Sequence, residues 1–153
     1  MRDDEDFARW LKEDNTSLGE GLLRLSELLQ SKAHVVDYGV AALDDLAASV
    51  TDASVNGIVA ALFGVDGLRA DVEDYHAEEN SFLDRVLERR LGMPITLSAV
   101  VIEVGSRIGL TLSMVGMPGH VVVGTSDPDL FICLLYTSPS PRDATLSRMP
   151  SSA

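Results

Sequence analysis

Asn80-Ser-Phe-Leu-Asp-Arg-Val-Leu-Glu-Arg-Arg-Leu-Gly-Met-Pro-Ile-Thr-Leu-Ser98 is the stretch of the chain that decides its fold class. Ser81 followed three residues later by Asp84 is the pattern of a capping box, so a helix is predicted to begin there. Apolar residues recur at helical spacing in this helix, at Leu83, Val86, Leu87 and Leu91. Gly92 is predicted to end it, and Pro94, near a first turn, is predicted to open the next helix.

The residues that follow complete this second helix and then predict strands. Its apolar face is formed by Leu97, Val101, Val104 and Ile108, and Gly109 is predicted to end it. Residues 110–115 and 120–123 are rich in β-branched and other apolar side chains and are predicted to be strands. The turn Gly116-Met117-Pro118-Gly119 joins them. A helix that leads into a hairpin after a helical region indicates the α+β class rather than a repeated βαβ array.

The upstream half predicts four more helices, because its apolar residues recur at spacings of three and four. The four groups are Phe7, Trp10 and Leu11; Leu22, Leu25, Leu28 and Leu29; Val36, Val40, Leu43, Ala47 and Val50; and Val55, Ile58, Val59, Leu62 and Phe63. Residues 65–79 are acidic and are predicted to form a loop with, at most, a short helical turn.

Composition limits the function. The 153 residues are 46% hydrophobic and 24% charged, which is typical of a soluble globular domain. A net charge of -12 argues against nucleic-acid partners and against an anionic membrane surface. One cysteine permits no intrachain disulfide, and the start Met-Arg-Asp-Asp-Glu-Asp lacks the apolar segment of a secretory signal. These features predict a cytoplasmic protein.

Three residues are candidates for catalysis. His120 begins a predicted strand directly after a Pro-Gly turn, where an imidazole could face a cleft as a general base, although a structural histidine is the alternative. Thr96 and Ser98 lie near a helix start, where hydroxyl groups can be nucleophiles but usually cap or bond back to the helix. No metal-ligand spacing or phosphate-binding glycine loop is present, so the sequence predicts neither metal nor cofactor. Arg85, Arg89 and Arg90 are interpreted as partners of acids on their own helix.

The stretch from Asn80 to Ser98, together with Ile102-Glu-Val-Gly-Ser-Arg-Ile-Gly-Leu110 and Val115-Gly-Met-Pro-Gly-His120, resembles bacterial transglutaminase-like proteins of the SirB type. The resemblance covers about 40 residues closely. It implies the first part of a papain-like core, in which a helix packs on an antiparallel sheet. It also implies a longer parent protein, often continuing into tetratricopeptide-type repeats.

The resemblance bears on catalysis as well. Active transglutaminases use a Cys-His-Asp triad, in which a thiolate at a helix N-terminus attacks a carboxamide. In this sequence Pro94 lies near the position of the nucleophile, His120 matches the histidine, and the acidic member would follow Ile132 and is missing. The resemblance therefore implies a non-catalytic pseudoenzyme that acts in regulation or protein interaction. The alternative is a hydrolase or acyltransferase that uses His120 with Thr96, Ser98 or a bound water.

The C-terminal residues differ from the rest of the chain. Residues 133–153 are rich in proline and serine and show no amphipathic period, which is typical of a disordered tail. Cys133 to Ser138 can also be encoded by TGT CTC TTA TAC ACA TCT, which resembles the end of a transposase-based sequencing adapter, and residues 139–143 and 147–153 can be encoded by its continuation. We therefore expect a helical region at 1–79, a partial transglutaminase-like core at 80–132, and a non-native tail at 133–153. Without further strands after Ile132, the sheet would keep an open edge.

Overall fold

A computed structural model describes residues 2–134 and 145–148 of the chain. Its α-helices are α1 (Arg2–Trp10), α2 (Leu18–Gln30), α3 (Val35–Ala48), α4 (Val55–Leu62), α5 (Leu83–Arg89) and α6 (Pro94–Arg107), and a short 3-10 helix spans Glu78–Asn80. Most of the helices occupy the positions that the periodicity predicts, and the polar residues Ser17 and Ser54 cap α2 and α4. The helix predicted to end at Gly92 is shorter, because α5 ends at Arg89 and Leu91 and Gly92 form a strand.

The strands form two sheets. A small parallel pair joins β1 (Arg69–Ala70) to β2 (Leu91–Gly92). The larger antiparallel sheet contains β3 (Ser113–Met117), β4 (His120–Gly124), β5 (Leu130–Cys133) and β6 (Thr145–Arg148), which lie in chain order. Helices therefore come first and an antiparallel sheet follows, and the predicted α+β class is confirmed.

Helix α6 lies at the centre of the described fold. It packs against α3 and also against β4, so side chains around much of its circumference are buried. Leu97, Val100, Val101 and Val104 are at most 1% exposed. Full burial of side chains of this kind contributes about 1.5–3 kcal/mol each, so this helix is the largest single contributor to the core. Pro94 opens α6 as predicted, because its missing N–H is at a position that needs no intrahelical partner.

The hairpin of β3 and β4 follows the prediction with one shift. Gly109 adopts φ +85 and ends α6, and the N–H of Leu110 then donates to Gly105 O at 2.8 Å. This helix-end bonding occupies the residues before Ser113, so the first strand begins three residues later than predicted. At the other end, Pro118 followed by Gly119 at φ +80 has the residue pattern of a type II turn. The turn places His120 opposite Met117.

The predicted capping box at Ser81 is wrong. Helix α5 begins after Phe82, without a side-chain cap. Asp84 is instead buried and accepts a hydrogen bond from Gln30 Nε2 at 3.0 Å, while its Oδ2 lies 3.5 Å from Lys32 Nζ. A tertiary contact to α2 and the residues after it has therefore replaced the local contact that the sequence pattern favoured.

The predicted tail is described only in part. Cys133 lies in β5, Leu134 is fully buried in the core, and residues 145–148 form β6 beside β5. These four residues form a strand where disorder is predicted, while residues 135–144 and 149–153 lie outside the described residues. The non-native origin of the tail is a statement about its DNA and stays a prediction. Within the described part of the chain, no helix has the length and apolar character that crossing a membrane requires.

Candidate functional site

The start of α6 is the position at which the resemblance places a catalytic nucleophile. Met93 precedes the helix in an extended conformation, and Pro94 is the first helical residue. Thr96 Oγ1 accepts the Met93 N–H at 3.2 Å and lies 2.8 Å from Asn80 O and 3.0 Å from Met93 O, either of which can accept its hydroxyl hydrogen. Thr96 is only 4% exposed, so this side chain caps the helix and holds it to the preceding segment.

The second candidate hydroxyl is also directed to backbone. Ser98 Oγ donates to Pro94 O at 2.7 Å, one turn earlier in α6, and Ser98 is fully buried. This back-bonding is a common fate of serine inside a helix. The hydroxyl hydrogens of Thr96 and Ser98 therefore go to carbonyl oxygens, and both residues act structurally in the observed geometry.

His120 is the first residue of β4 and is partly buried. Because β4 packs against α6, the strand that carries His120 and the helix that carries Thr96 and Ser98 are neighbours. The hydroxyl bonds described above nevertheless leave neither oxygen donating its hydrogen to an imidazole. The fold thus places the predicted residues on adjacent elements without joining them into a nucleophile-base pair.

A buried polar network that sequence reasoning missed lies beside the start of α6. Arg89 on α5 donates from Nη2 to Asp71 Oδ2 at 3.1 Å and from Nη1 to Asn80 Oδ1 at 3.2 Å. Asn80 is fully buried, and its Nδ2 donates to Asp74 O at 2.8 Å and to Tyr75 O at 3.2 Å. We call Asp71, Asn80 and Arg89 the loop clamp, because together they fix residues 71–80 against α5.

The electrostatics of the loop clamp favour an ionised Asp71. The Asp74 N–H, which donates to Asp71 Oδ1 at 3.0 Å, lowers the pKa of Asp71 below its ordinary value, and Arg89 adds to this lowering. Burial acts in the opposite direction but is outweighed. The loop clamp is therefore held as a charged pair with hydrogen bonds on both sides of the carboxylate.

The interpretation of Arg89 as a partner of acids on its own helix is wrong. It holds for Arg85, which contacts Glu88 and lies 3.6 Å from Glu79. Arg89 instead bonds to Asp71, eighteen residues away in the chain. The parallel pairing of β1 and β2 causes the difference, since Asp71 N–H donates to Gly92 O and brings the loop alongside the end of α5. The available signal was the acidic loop together with the spacing along the helix, since Arg85 has Glu88 three residues further on but Arg89 has no acid three or four residues away.

Gly92 explains how these segments approach so closely. A Cβ at this position would lie 2.9 Å from Val86 Cγ1 and 3.0 Å from Thr96 Oγ1. A side chain here would therefore separate α5 from the start of α6.

A second polar cluster holds the far end of α6 to the N-terminal helices. Glu103 accepts the Gly19 N–H at 2.8 Å and an Arg107 Nη1 bond at 3.0 Å, and Arg107 Nε donates to Asp44 Oδ1 at 2.7 Å. Burial lowers the pKa of Arg107, but its hydrogen bonds to Asp44 and Glu103 outweigh this and raise the pKa above its ordinary value. Helices α2, α3 and α6 are thus joined by charge-assisted bonds.

Comparison with known families agrees with this architecture. The chain belongs to the Transglutaminase-like superfamily, whose sequence profile matches residues 24–135. This match confirms the coarse part of the resemblance and includes α6, the loop clamp and the hairpin that carries His120.

The chain is also similar to bacterial proteins named UPF0162. It is 44% identical over 62 residues to one from Xylella fastidiosa (strain Temecula1), covering 40% of this chain and 22% of that protein. It is 32% identical over 73 residues to one from Pasteurella multocida, covering 48% of this chain and 28% of that protein. It is 35% identical over 52 residues to a third, from Vibrio cholerae, and this match covers 34% of this chain and 19% of that protein. The chain therefore matches between 19% and 28% of the length of each of these relatives. No solved structure matches the chain significantly.

Proposed function

We propose that this chain is a transglutaminase-like domain without thiol catalysis, and that it serves as a regulatory or protein-interaction module in the cytoplasm. The observation that carries the proposal is Pro94 at the first position of α6. A thiolate placed there would be stabilised by the helix dipole and the free N–H groups, whereas proline has no nucleophilic group. The one cysteine of the chain, Cys133, belongs to β5 rather than to a helix N-terminus.

The surrounding hydrogen bonds support the same proposal. An alternative nucleophile would need a hydroxyl hydrogen within reach of a general base. Thr96 and Ser98 donate theirs to backbone carbonyls, and both side chains are buried. The loop clamp adds rigidity to this end of the domain, which suits a preformed binding surface better than a cleft that must open for substrate.

The finer assignment belongs to the proposal as well. We place the chain with the SirB type of transglutaminase-like proteins, on the residues from Asn80 to His120 that carry the resemblance. In that type the intact parent would continue into tetratricopeptide-type repeats, which are themselves interaction modules. The net charge of -12 favours protein partners over nucleic acid or anionic membrane.

The direct test is an assay of the purified chain with a glutamine-containing peptide plus an amine acceptor, and separately with an activated ester. We expect turnover that equals the buffer rate and equals that of a His120→Ala variant. Turnover that exceeds the buffer rate and is lost in His120→Ala would overturn the proposal in favour of a hydrolase or acyltransferase. Circular dichroism of both proteins establishes that they are folded under the assay conditions.

A further inference from the structure

A groove lies between the last turn of α2 and the segment that leads into α5. Its volume is about 620 Å³. Pockets of about 300–1,000 Å³ are typical of sites that bind small molecules or side chains. Its walls come from α2 and from residues between 74 and 85, whereas His120, Thr96 and Ser98 lie on β4 and α6. The groove is therefore separate from the candidate catalytic residues.

The charged residues that line the groove are mainly acidic. Three of them are the acids Asp74, Glu78 and Glu79, and Arg85 is the one base of the lining. Arg85 contacts Glu88 and lies 3.6 Å from Glu79, so its charge is already balanced. Asp74 and Glu78 are exposed, and neither forms an ion pair with a lysine, arginine or histidine in the described part of the chain. The lining therefore keeps a net negative charge.

The segment around these two carboxylates is negative as well. Residues 70–84 contain six acids and no lysine or arginine. Lys32, just after α2, lies 3.5 Å from buried Asp84 and is balanced by it. Among the residues that the structure describes, no three acids, histidines or cysteines lie close enough together to hold a metal ion. The carboxylates are thus spread along the wall and suit positive charges that are spread along a polypeptide.

The loop clamp holds the acidic wall in place. The Asp74 N–H donates to Asp71 Oδ1 at 3.0 Å. Asp74 O accepts hydrogen bonds from Asn80 Nδ2 at 2.8 Å and from the Ala77 N–H at 3.1 Å. Asp71 and Asn80 are buried, so the backbone that carries the Asp74 carboxylate is fixed from inside the domain. A preformed wall lowers the entropic cost of binding.

The groove also has apolar surface. Leu29, on the last turn of α2, is 63% exposed, and Ala77 and Phe82 are partly buried. Removing apolar surface of this kind from water stabilises a complex by about 25 cal/mol per Å². An occupant therefore needs an apolar group as well as positive charge.

We infer that this groove, bounded by Leu29 of α2 and by Asp74 and Glu78, docks a basic segment of a partner protein in which an apolar side chain is flanked by lysine or arginine. The inference rests on the proposed function and names the surface and the chemistry of the interaction. The apolar side chain would cover Leu29 and Phe82. The flanking cations would meet the carboxylates of Asp74 and Glu78.

The test selects the partner chemistry without assuming it. A random dodecapeptide phage library is depleted on the triple variant Leu29→Ala/Asp74→Asn/Glu78→Gln and is then selected on the wild-type chain. We expect enriched peptides that combine lysine or arginine with leucine, isoleucine, valine or phenylalanine. In fluorescence anisotropy, synthetic versions should bind Glu78→Gln about threefold and Leu29→Ala about fivefold more weakly than wild type. Their affinity should fall as the salt concentration rises.

Matched variants separate a defined site from the general negative field of the chain. Glu73→Gln removes an exposed carboxylate from the same loop outside the groove lining, and Leu18→Ala shortens an exposed leucine at the other end of α2. Both should bind the peptides within about twofold of wild type. Equal losses of affinity in Glu73→Gln and Glu78→Gln would overturn the inference, because the whole acidic surface would then attract the cations.

Four further outcomes would overturn the inference: no peptide that prefers the wild-type chain to the triple variant, enriched peptides without basic residues, spermine that binds as tightly as the peptides, or a wild-type dimer that the triple variant abolishes. Circular dichroism establishes that every variant is folded. A peptide that binds only another face would overturn the inference and leave the proposed function standing. Turnover that depends on His120 would remove the proposed function whatever the groove binds.

Discussion

Arg89 Nη2 lies 3.1 Å from Asp71 Oδ2, and this ion pair joins helix α5 to a loop eighteen residues earlier in the chain. The Asp71 side chain is 7% exposed and the Arg89 side chain 24%, so the pair is largely removed from water. A pair of this kind fixes geometry, because loss of either partner leaves the other charge buried without compensation. The loop clamp is therefore the part of the site whose contribution to stability can be measured most directly.

Replacing Arg89 with methionine should lower the free energy of unfolding by about 3 kcal/mol, since it leaves Asp71 buried and removes a donor from Asn80. Urea unfolding followed by circular dichroism measures this. The control is Arg85→Met on the same helix, which breaks contacts to exposed Glu79 and Glu88 and should cost less than about 1 kcal/mol. Equal losses for the two variants would show that the loop clamp contributes no more than a surface pair.

Asp71 should make the free energy of unfolding depend on pH in the acidic range. Its pKa is lowered in the folded protein, so its contribution is complete above the unfolded value, near 3.8, and is lost as the pH falls through the lower folded value. The difference in unfolding free energy between the wild-type chain and Asp71→Asn should therefore be constant from pH 5 to 7 and shrink below about pH 4. Asp45→Asn, which removes an exposed carboxylate, supplies the reference curve. A difference that grows on acidification would contradict the assigned direction.

The elements of the fold could be predicted from the sequence better than the contacts between them. Helix α6 could be predicted because Pro94, the stripe from Leu97 to Ile108 and Gly109 are local signals. The hairpin could be predicted from Pro118 and Gly119 for the same reason. The pairing of Arg85 with Glu88 follows from their spacing of three residues, whereas Arg89 has no acid at helical spacing and only the fold brings Asp71 to it. Local patterns predict elements, whereas partners distant in sequence follow from how those elements pack.

The candidate site was predictable to a similar extent. His120, Thr96 and Ser98 lie on adjacent elements, as a transglutaminase-like arrangement implies, but the direction of each hydroxyl depends on carbonyls that only the folded backbone positions.

Gly19 should be intolerant of a side chain. A Cβ there would lie 2.5 Å from Glu103 Cγ, and Glu103 cannot move freely because it bonds both the Gly19 N–H and Arg107. Gly19→Ala should therefore lower the unfolding free energy by about 1–3 kcal/mol, despite the higher helix propensity of alanine. Gly21→Ala on the same helix meets only the edge of Trp10 at 3.2 Å and should be close to neutral. Thermal unfolding of both variants compares them, and equal stability would show that Glu103 yields easily.

The C-terminal tail gives a prediction at the level of DNA. If codons 133–153 derive from a sequencing adapter, amplification of the locus from intact genomic DNA should give a sequence that departs from the present one at Cys133. Sanger sequencing across codons 120–160 measures this without any adapter ligation. A chromosomal reading frame that continues unchanged through Ala153 would show that the tail belongs to the protein.

Substitutions of Thr96 can distinguish a structural role of its hydroxyl group from a catalytic role. Thr96→Val keeps the shape of the side chain but removes the bonds to Asn80 O and the Met93 N–H, so it should lower the unfolding free energy by about 1–2 kcal/mol. Thr96→Ser keeps the hydroxyl and should recover most of this loss, while Ser98→Ala should cost less, because a serine that bonds back to its own helix gives little net stability. Urea unfolding measures the stability of each variant, and the amide and ester assays measure turnover on the same samples. A Thr96→Val variant with wild-type stability, together with a turnover that only the threonine and serine forms support, would identify this hydroxyl as a nucleophile instead.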